Sequence, residues 1–272
     1  RSTRTWIFSI SPAYTTQRIH AHVASATPQQ GQRSPMPDVK LITFDLDNTL
    51  WDVDSVIRKA ENSLRAWLLE EVPEVVTRYP PEAMIELRTT LLQDNPQWRH
   101  NLSRLREELL YQAIRRSGYG EREARKHAAD AFAVFLDARH EVEYFAGALE
   151  ALAELARDFT LGALTNGNAD IGKLNLDRYF SFGYSAASVG VGKPAPDIFH
   201  AALRHANASA TETIHIGDHL IDDIHGANEV GMHTIWVNLK QEPHPEDTST
   251  PSHTVDEVER IPEAVKHIIA TC

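Results

Sequence analysis

The stretch at residues 40–51 constrains the fold of this chain more than any other. Its sequence is Lys-Leu-Ile-Thr-Phe-Asp-Leu-Asp-Asn-Thr-Leu-Trp. The apolar run at 41–44 is typical of a buried strand in a parallel sheet. Asp45 and Asp47 follow it, and two carboxylates where a buried strand ends are costly unless something binds them. Because ligands bind at the carboxyl ends of parallel strands, the stretch predicts a ligand or metal site. An Asx turn is the alternative, and it explains one aspartate better than two.

Residues 53–144 carry apolar side chains at the spacing of amphipathic α-helices, in four successive stripes. The stripes are Ile57, Ala60, Leu64, Trp67 and Leu68; Met84, Leu87 and Leu91; Leu102, Leu105, Leu109 and Ala113; and Ala124, Ala128, Ala131, Phe132 and Phe135. No strand pattern separates them. They predict a bundle of four helices inserted directly after the first strand.

Strand and helix patterns alternate from about residue 147 onwards. The strand-like runs lie at 159–164, 182–185, 213–216 and 233–237. We interpret 241–254 as a loop and about 256–270 as a closing helix. Repeated units of this length predict an α/β fold with a doubly wound parallel sheet. The predicted units are an N-terminal extension at 1–37, a core domain at 38–52 and 145–272, and a helical cap at 53–144.

Four polar segments follow predicted strands or turns. They are Asp45-Leu-Asp47-Asn-Thr49, Thr165-Asn166-Gly167-Asn168, Lys193-Pro194, and Gly217-Asp218 with Asp222-Asp223. Their order and residue types resemble motifs I to IV of the haloacid dehalogenase-like (HAD) superfamily over residues 40–237. The helical insertion resembles the type-1 cap of that superfamily. The resemblance implies a Rossmann-like core and a hydrolase.

The resemblance also implies catalytic roles for four residues. Asp45 is expected to be the nucleophile that forms an aspartyl-phosphate. Asp47 is expected to protonate the leaving alkoxide and then to deprotonate the attacking water. Thr165 is expected to bind phosphoryl oxygens, and Lys193 to place a compact positive charge beside Asp45. A solvated lysine ahead of a helix that begins with proline is the alternative for Lys193.

Magnesium is the cofactor that the resemblance implies, and a few carboxylates with phosphate oxygens suit this hard ion. The expected ligands are Asp45, the backbone carbonyl of Asp47, and Asp218, with Asp223 as a ligand or a neighbour of the ligands. The alternative for Asp222 and Asp223 is an acidic pair that complements a helix dipole.

Composition restricts the classes of partner. The chain of 272 residues has a formal charge of −11, but residues 1–37 hold four arginines and no acid. The remaining 23 basic and 38 acidic residues give a charge of −15, which argues against nucleic acid as a partner. The single cysteine, Cys272, excludes a disulfide framework and fits a cytoplasmic enzyme. No apolar run is long enough for a membrane span. Residues 1–37 have the composition of a transit peptide, but we favour a disordered tail or sequence upstream of a start at Met36.

Substrate choice is expected to depend on the cap, because the four motifs handle only the phosphate. The predicted substrate-binding residues are Thr49, Asn166 and Gly167 in the core and Trp98 and Arg104 in the cap. Trp98 lies beside basic residues and could stack on a flat ring; a solvated basic face is the alternative. The motifs are similar to those of bacterial HAD phosphatases that act on flavin mononucleotide. We therefore expect a small phosphorylated metabolite, flavin mononucleotide first, then nucleotides or sugar phosphates.

Other functions fit the sequence less well. A haloacid dehalogenase of this fold would lack the second aspartate, Asp47. A phosphonatase would need a cap lysine, for which Lys59 is the candidate near motif I. A non-catalytic binding module would not need the intact acids and Lys193.

Overall fold

The computed structural model describes residues 39–271. Our expectations for residues 1–37 and for Cys272 lie outside the described residues. Within 39–271, no helix combines the length and the apolar character needed to cross a bilayer.

A sheet of six parallel strands forms the centre of the molecule, in the order β3-β2-β1-β4-β5-β6. The strands are β1 (Leu41–Phe44), β2 (Thr160–Thr165), β3 (Phe182–Ser185), β4 (Thr213–Gly217), β5 (His233–Val237) and β6 (His253–Val255). Their order reverses on either side of β1, which pairs with both β2 and β4. The doubly wound α/β fold predicted from the sequence is confirmed.

The described helices lie on both faces of this sheet and in the insertion after β1. They are α1 (Val53–Glu71), α2 (Pro73–Arg78), α3 (Pro81–Asp94), α4 (Leu102–Arg116), α5 (Glu121–Arg139), α6 (Ala148–Leu155), α7 (Ala186–Val189), α8 (Pro196–Ala206), α9 (Gly226–Val230) and α10 (Ile261–Thr271). Short 3₁₀ turns occupy Pro96–His100, Ala210–Glu212 and Val258–Arg260, and a π-helical turn occupies Leu220–His225.

Two elements differ from the sequence prediction. The insertion contains a fifth helix, α2, which has six residues and buries only Val75. One buried side chain produces no periodicity, so this helix left no stripe to detect. The predicted loop at 241–254 contains the start of β6, a three-residue edge strand in which only Val255 is buried. Alternation cannot be recognised over so short a strand.

Alternation along β1 divides the core between the two faces of the sheet. Ile42 and Phe44 belong to a cluster with residues of α6 and α10, whereas Leu41 belongs to a cluster with residues of α8 and α9. Most buried apolar residues of α1 to α5 form a third cluster, whereas Val56 of α1 belongs to the cluster of Ile42 and Phe44. This separate core supports the proposed division between a core domain and a cap at 53–144.

Candidate active site

The carboxyl ends of the central strands bring the predicted motifs together. Phe44 at the end of β1 is opposite Ala163 of β2 and Ile216 of β4. The residues that follow these three positions therefore meet at one edge of the sheet. The Asp45 amide continues the ladder by donating to the Ile216 carbonyl at 2.8 Å, which fixes where the Asp45 side chain begins.

Lys193 is the cation at the centre of this edge. Its ammonium donates to Asp45 Oδ1 at 2.6 Å, to Asp223 Oδ1 at 2.6 Å and to the Leu164 carbonyl at 2.7 Å. Only 1% of its side chain is exposed, so it is not a solvated lysine. Burial alone would lower the pKa of Lys193, but Asp223 and Asp45 hold that pKa above its ordinary value. Lys193 therefore keeps its charge beside the predicted nucleophile.

Asp223 is committed to this network by every contact it makes. Its Oδ1 accepts from Lys193, and its Oδ2 accepts from the His219 amide at 2.9 Å. His215 Nε2 lies 3.2 Å from Oδ1 and, facing a carboxylate, is the donor. Burial alone would raise the pKa of Asp223, yet Lys193 and His215 hold it below its ordinary value. A Cβ at position 217 would lie 2.3 Å from Asp223, so glycine is needed there. Asp223 thus positions Lys193. Its role in this structure is that of a partner in a buried ion pair, and not that of an acid that complements a helix dipole.

His215 is a site residue that the sequence did not reveal. It is fully buried in β4, and burial lowers its pKa, so the ring is neutral. Since Nε2 donates to Asp223, Nδ1 must accept, and the Thr43 hydroxyl lies 2.8 Å from it. A histidine within an apolar strand is the only sequence signal for this role.

Three carboxylates form a pocket of oxygen atoms that a cation could occupy. One oxygen from each of Asp45, Asp218 and Asp223 lies within 4.8 Å of the others. The Thr49 hydroxyl lies between two of them, 3.4 Å from Asp45 Oδ2 and 3.5 Å from Asp218 Oδ1. Burial, reinforced by neighbouring acids, raises the pKa of Asp45 to about 7 and that of Asp218 well above its ordinary value. The positive charge of Lys193 therefore does not fully compensate the negative charge of the three carboxylates. A hard divalent ion such as Mg²⁺ fits the oxygen-only donor set.

Asn166 connects three of the motif loops. Its amide nitrogen donates to the Lys193 carbonyl at 2.9 Å and to Asp222 Oδ2 at 3.2 Å, and its Oδ1 accepts from the Lys193 amide at 2.8 Å. The Asn166 side chain, which was predicted to bind substrate, therefore fixes these loops relative to one another. Burial raises the pKa of Asp222, whose Oδ1 has no hydrogen-bond partner among residues 39–271.

The loop after β2 lies against Asp47. The Thr165 hydroxyl accepts from the Gly167 amide at 2.9 Å. A Cβ at position 167 would lie 2.6 Å from Asp47 Oδ2 and 3.2 Å from the Thr165 hydroxyl oxygen. Glycine thus lets this loop approach the carboxylate. Thr165, Gly167 and Asp47 meet as the motif order predicted.

Asp47 is held by two donors that sequence reasoning missed. Arg139 Nη2 donates to Asp47 Oδ1 at 2.6 Å and to Oδ2 at 2.8 Å, and Trp51 Nε1 donates to Oδ1 at 2.9 Å. A basic residue in the last turn of a helix normally complements the helix dipole. The sequence contains no signal that Arg139 reaches a motif 92 residues away.

The two predicted cap residues lie side by side, with Trp98 partly buried against the cap core and Arg104 exposed. The Arg104 guanidinium carbon is 5.6 Å from the centroid of the Trp98 ring, and Arg104 also lies 3.8 Å from Glu108. About half of the Arg104 side chain is exposed. Other cap residues reach the core: His100 Nδ1 accepts from the Gly192 amide, and Ser103 Oγ accepts from Asn168, both at 3.3 Å.

A model of the haloacid dehalogenase-like hydrolase family matches residues 39–231, a range that contains every motif described above. The chain belongs to the haloacid dehalogenase-like hydrolase family. It is an enzyme of this HAD family, and the sheet edge around Asp45 is where the family motifs of this chain converge.

Proteins similar to this chain include named phosphatases and a 2-haloacid dehalogenase. The chain is 30% identical to the 5-amino-6-(5-phospho-D-ribitylamino)uracil phosphatase YigB of Escherichia coli over 203 residues, which is 75% of this chain and 85% of YigB. It is 29% identical to the glyceraldehyde 3-phosphate phosphatase of Pyrococcus furiosus, over 74% of this chain and 81% of that protein. The crystal structure of a 2-haloacid dehalogenase from Pseudomonas syringae pv. Tomato DC3000 is 41% identical, with a TM-score of 0.82 over 85% of this chain and 99% of that one.

Proposed function

We propose that this chain is a Mg²⁺-dependent phosphomonoesterase that transfers the phosphoryl group of a small metabolite to Asp45. The observation that carries the proposal is the arrangement of the two motif I aspartates. Asp45 is buried against the Lys193 ammonium, while Asp47 lies two residues on and is 21% exposed, outside that ion-pair network. This arrangement supports Asp45 as the nucleophile and Asp47 as a separate proton carrier.

The first step forms a bond between an Asp45 oxygen and phosphorus and breaks the bond between phosphorus and the ester oxygen. The proton on Asp47 passes to that ester oxygen, and the alcohol leaves. Lys193 remains charged and opposes the negative charge of the phosphoryl group and of the new aspartyl-phosphate. Thr165 and the backbone of the loop at 165–167 would donate to phosphoryl oxygens.

The second step restores the enzyme. Asp47, now a carboxylate, removes a proton from a water molecule whose oxygen attacks phosphorus. The bond between phosphorus and Asp45 breaks, and inorganic phosphate leaves. A Mg²⁺ ion held by Asp45, the Asp47 carbonyl and Asp218 would neutralise part of the phosphoryl charge. Asp223 supports this set through Lys193.

The proposed substrate class is a ring that carries a phosphorylated ribityl chain. YigB, by its name, acts on a uracil with a 5-phosphoribitylamino chain, and flavin mononucleotide carries a phosphoribityl chain on a flavin. Both molecules place a flat ring several bonds from the phosphate. Sugar and triose phosphates are the second class, because the glyceraldehyde 3-phosphate phosphatase of Pyrococcus furiosus is nearly as similar as YigB.

Dehalogenation is the second candidate function, and the Pseudomonas syringae structure favours it. In that reaction the Asp45 carboxylate would displace halide from carbon, and water would then attack the carboxyl carbon of the ester. No leaving alkoxide needs a proton. The Asp47 carboxylate beside Asp45 is therefore useful to a phosphatase and without purpose in the first step of a dehalogenase.

A panel of substrates tests the proposal. Phosphate release with Mg²⁺ should be measured for flavin mononucleotide, the phosphoribitylaminouracil, glyceraldehyde 3-phosphate, phosphoserine and p-nitrophenyl phosphate, and chloride release for 2-chloropropionate. We expect the two ribityl phosphates to have the highest kcat/KM. Preference for glyceraldehyde 3-phosphate would overturn the substrate class alone. Chloride release without phosphate release would overturn the phosphatase.

A further inference from the structure

Arg139 is a cap residue whose guanidinium contacts a motif I aspartate, Asp47. It is the last residue of α5, where the chain leaves the cap for the core, and 1% of its side chain is exposed. Its Nη2 donates to both oxygens of Asp47, at 2.6 and 2.8 Å. A charged contact of this length is among the stronger hydrogen bonds in proteins.

The contacts to Asp47 distinguish its two oxygens. Within residues 39–271, Oδ1 accepts from Arg139 Nη2 and from Trp51 Nε1, whereas Oδ2 accepts from Arg139 alone and lies beside Gly167. Oδ1 is thus the anchored oxygen. Oδ2 has the capacity to carry a proton while Oδ1 keeps both donors.

The other two nitrogen atoms of the Arg139 guanidinium are unpaired among the described residues. Nε and Nη1 of Arg139 are buried and have no hydrogen-bond partner in the part of the chain that the structure describes. Burying two donors unpaired costs stability that a shorter side chain would not. The guanidinium carbon lies 6.0 Å from the centroid of the Trp51 ring, and Nη2 lies 3.7 Å from the position that a Cβ on Gly167 would take.

We propose that Arg139 is a positioning residue that aims the Oδ2 proton of Asp47 at the leaving oxygen of the ester. This inference rests on the proposed phosphatase reaction. In the first step Oδ2 gives its proton to the ester oxygen as the bond from that oxygen to phosphorus breaks. In the second step Oδ2 takes a proton from the attacking water. Arg139 and Trp51 hold Oδ1 in both steps, and neither gains or loses a proton.

Proton donation can be measured separately from the rest of catalysis by changing the leaving group. p-Nitrophenolate is a stable anion and departs without a proton, whereas an alkoxide leaving group needs a proton as it departs. Wild type and variants should be assayed with p-nitrophenyl phosphate and with an alkyl phosphate such as glycerol phosphate. The quantity to compare is the ratio of the alkyl to the aryl kcat/KM value. We expect Arg139→Gln to lower the ratio of alkyl to aryl turnover about 10- to 100-fold, since general acid catalysis contributes 10²- to 10⁴-fold. Arg139→Lys should restore part of the ratio.

Matched variants separate positioning from a general loss of structure. Arg106 is a second buried cap arginine, and it is paired with Glu61 at 2.8 Å. Arg106→Gln should lower alkyl and aryl turnover together and leave their ratio unchanged. Trp51→Phe removes the other donor to Oδ1 and should lower the ratio in the same direction as Arg139→Gln.

The double variant decides whether Arg139 acts through Asp47. Asp47→Asn combined with Arg139→Gln should have the same ratio as Asp47→Asn alone, because the second change removes an effect already lost. An unchanged ratio in Arg139→Gln, or an equal fall in Arg106→Gln, would overturn the positioning role. Absence of phosphate release by wild type would instead refute the proposed function.

Discussion

Replacing Lys193 with methionine should damage both stability and catalysis, because this ammonium holds three oxygens together. Its nitrogen lies 2.6 Å from Asp45 Oδ1, 2.6 Å from Asp223 Oδ1 and 2.7 Å from the Leu164 carbonyl. Methionine fills a similar volume but donates nothing. Removing one partner of a buried ion pair typically costs ~3–5 kcal/mol. For a chain of this size that lowers Tm by roughly 6–20 °C.

Turnover should fall further than stability alone explains. Lys193 opposes charge that grows on the phosphoryl group, and removing one such donor typically costs about 10²- to 10³-fold in kcat. The assay is Mg²⁺-dependent phosphate release at a temperature where circular dichroism shows Lys193→Met to be folded. Scanning calorimetry supplies Tm.

Lys266→Met is the matched control for Lys193→Met. Lys266 also lies close to a carboxylate, 2.7 Å from Glu154, but 72% of its side chain is exposed. Exposed pairs contribute little, so neither Tm nor turnover should change measurably. Equal effects of the two substitutions, or near wild-type kcat in Lys193→Met, would refute the reasoning that burial makes this ammonium decisive.

Three further predictions follow from the described contacts. First, burial raises the pKa of Glu61 from 4.5 to about 7, so the folded chain binds more protons than the unfolded chain between these values. Stability should therefore fall by ~3 kcal/mol as pH rises through that window, and urea unfolding of Glu61→Gln should lack this slope; an unchanged slope contradicts the assignment. Second, Mg²⁺ at about 100 times its Kd should stabilise the enzyme by ~2.7 kcal/mol, measured as a thermal shift that EDTA reverses and Asp218→Asn abolishes; an equal shift in Asp218→Asn contradicts the ligand set. Third, His100→Ala removes the bond from the Gly192 amide to the cap and should raise KM about 2- to 10-fold, whereas Arg99→Ala, in the same turn, should not; equal changes contradict a role for this contact between cap and core in substrate binding.

Asp45, Thr165 and Asp218 could be predicted to meet because each lies at the end of a strand. Once β1, β2 and β4 are parallel and adjacent, Asp45, Thr165 and Asp218 must come to one edge, whatever packs elsewhere. The pattern of apolar residues also predicted four of the five cap helices. These inferences depend only on periodicity and order along the chain.

Contacts between distant side chains could not be predicted in the same way. Arg139 binds Asp47 because α5 ends above the motif I loop, and the orientation of a helix end does not follow from its own sequence. Trp98 and Arg104 were expected at the substrate, but no hydrogen bond connects either to the motif loops among residues 39–271. Their role in substrate binding stays a prediction, which Trp98→Ala and Arg104→Ala would test. His100 and Ser103, close by in sequence, make the contacts to the core.

The central claim is that the phosphoryl group is transferred to Asp45, and a trapped intermediate tests it most directly. Asp47→Asn should be mixed with p-nitrophenyl phosphate and Mg²⁺, quenched in acid during turnover and digested. This variant still loses the good leaving group but activates water poorly, so the aspartyl-phosphate should accumulate. Mass spectrometry should then find one added phosphoryl group on the peptide that contains Asp45, and none when Asp45→Asn is combined with Asp47→Asn. Phosphate release without a phosphoryl group on Asp45, or with the group on another residue, would contradict the account.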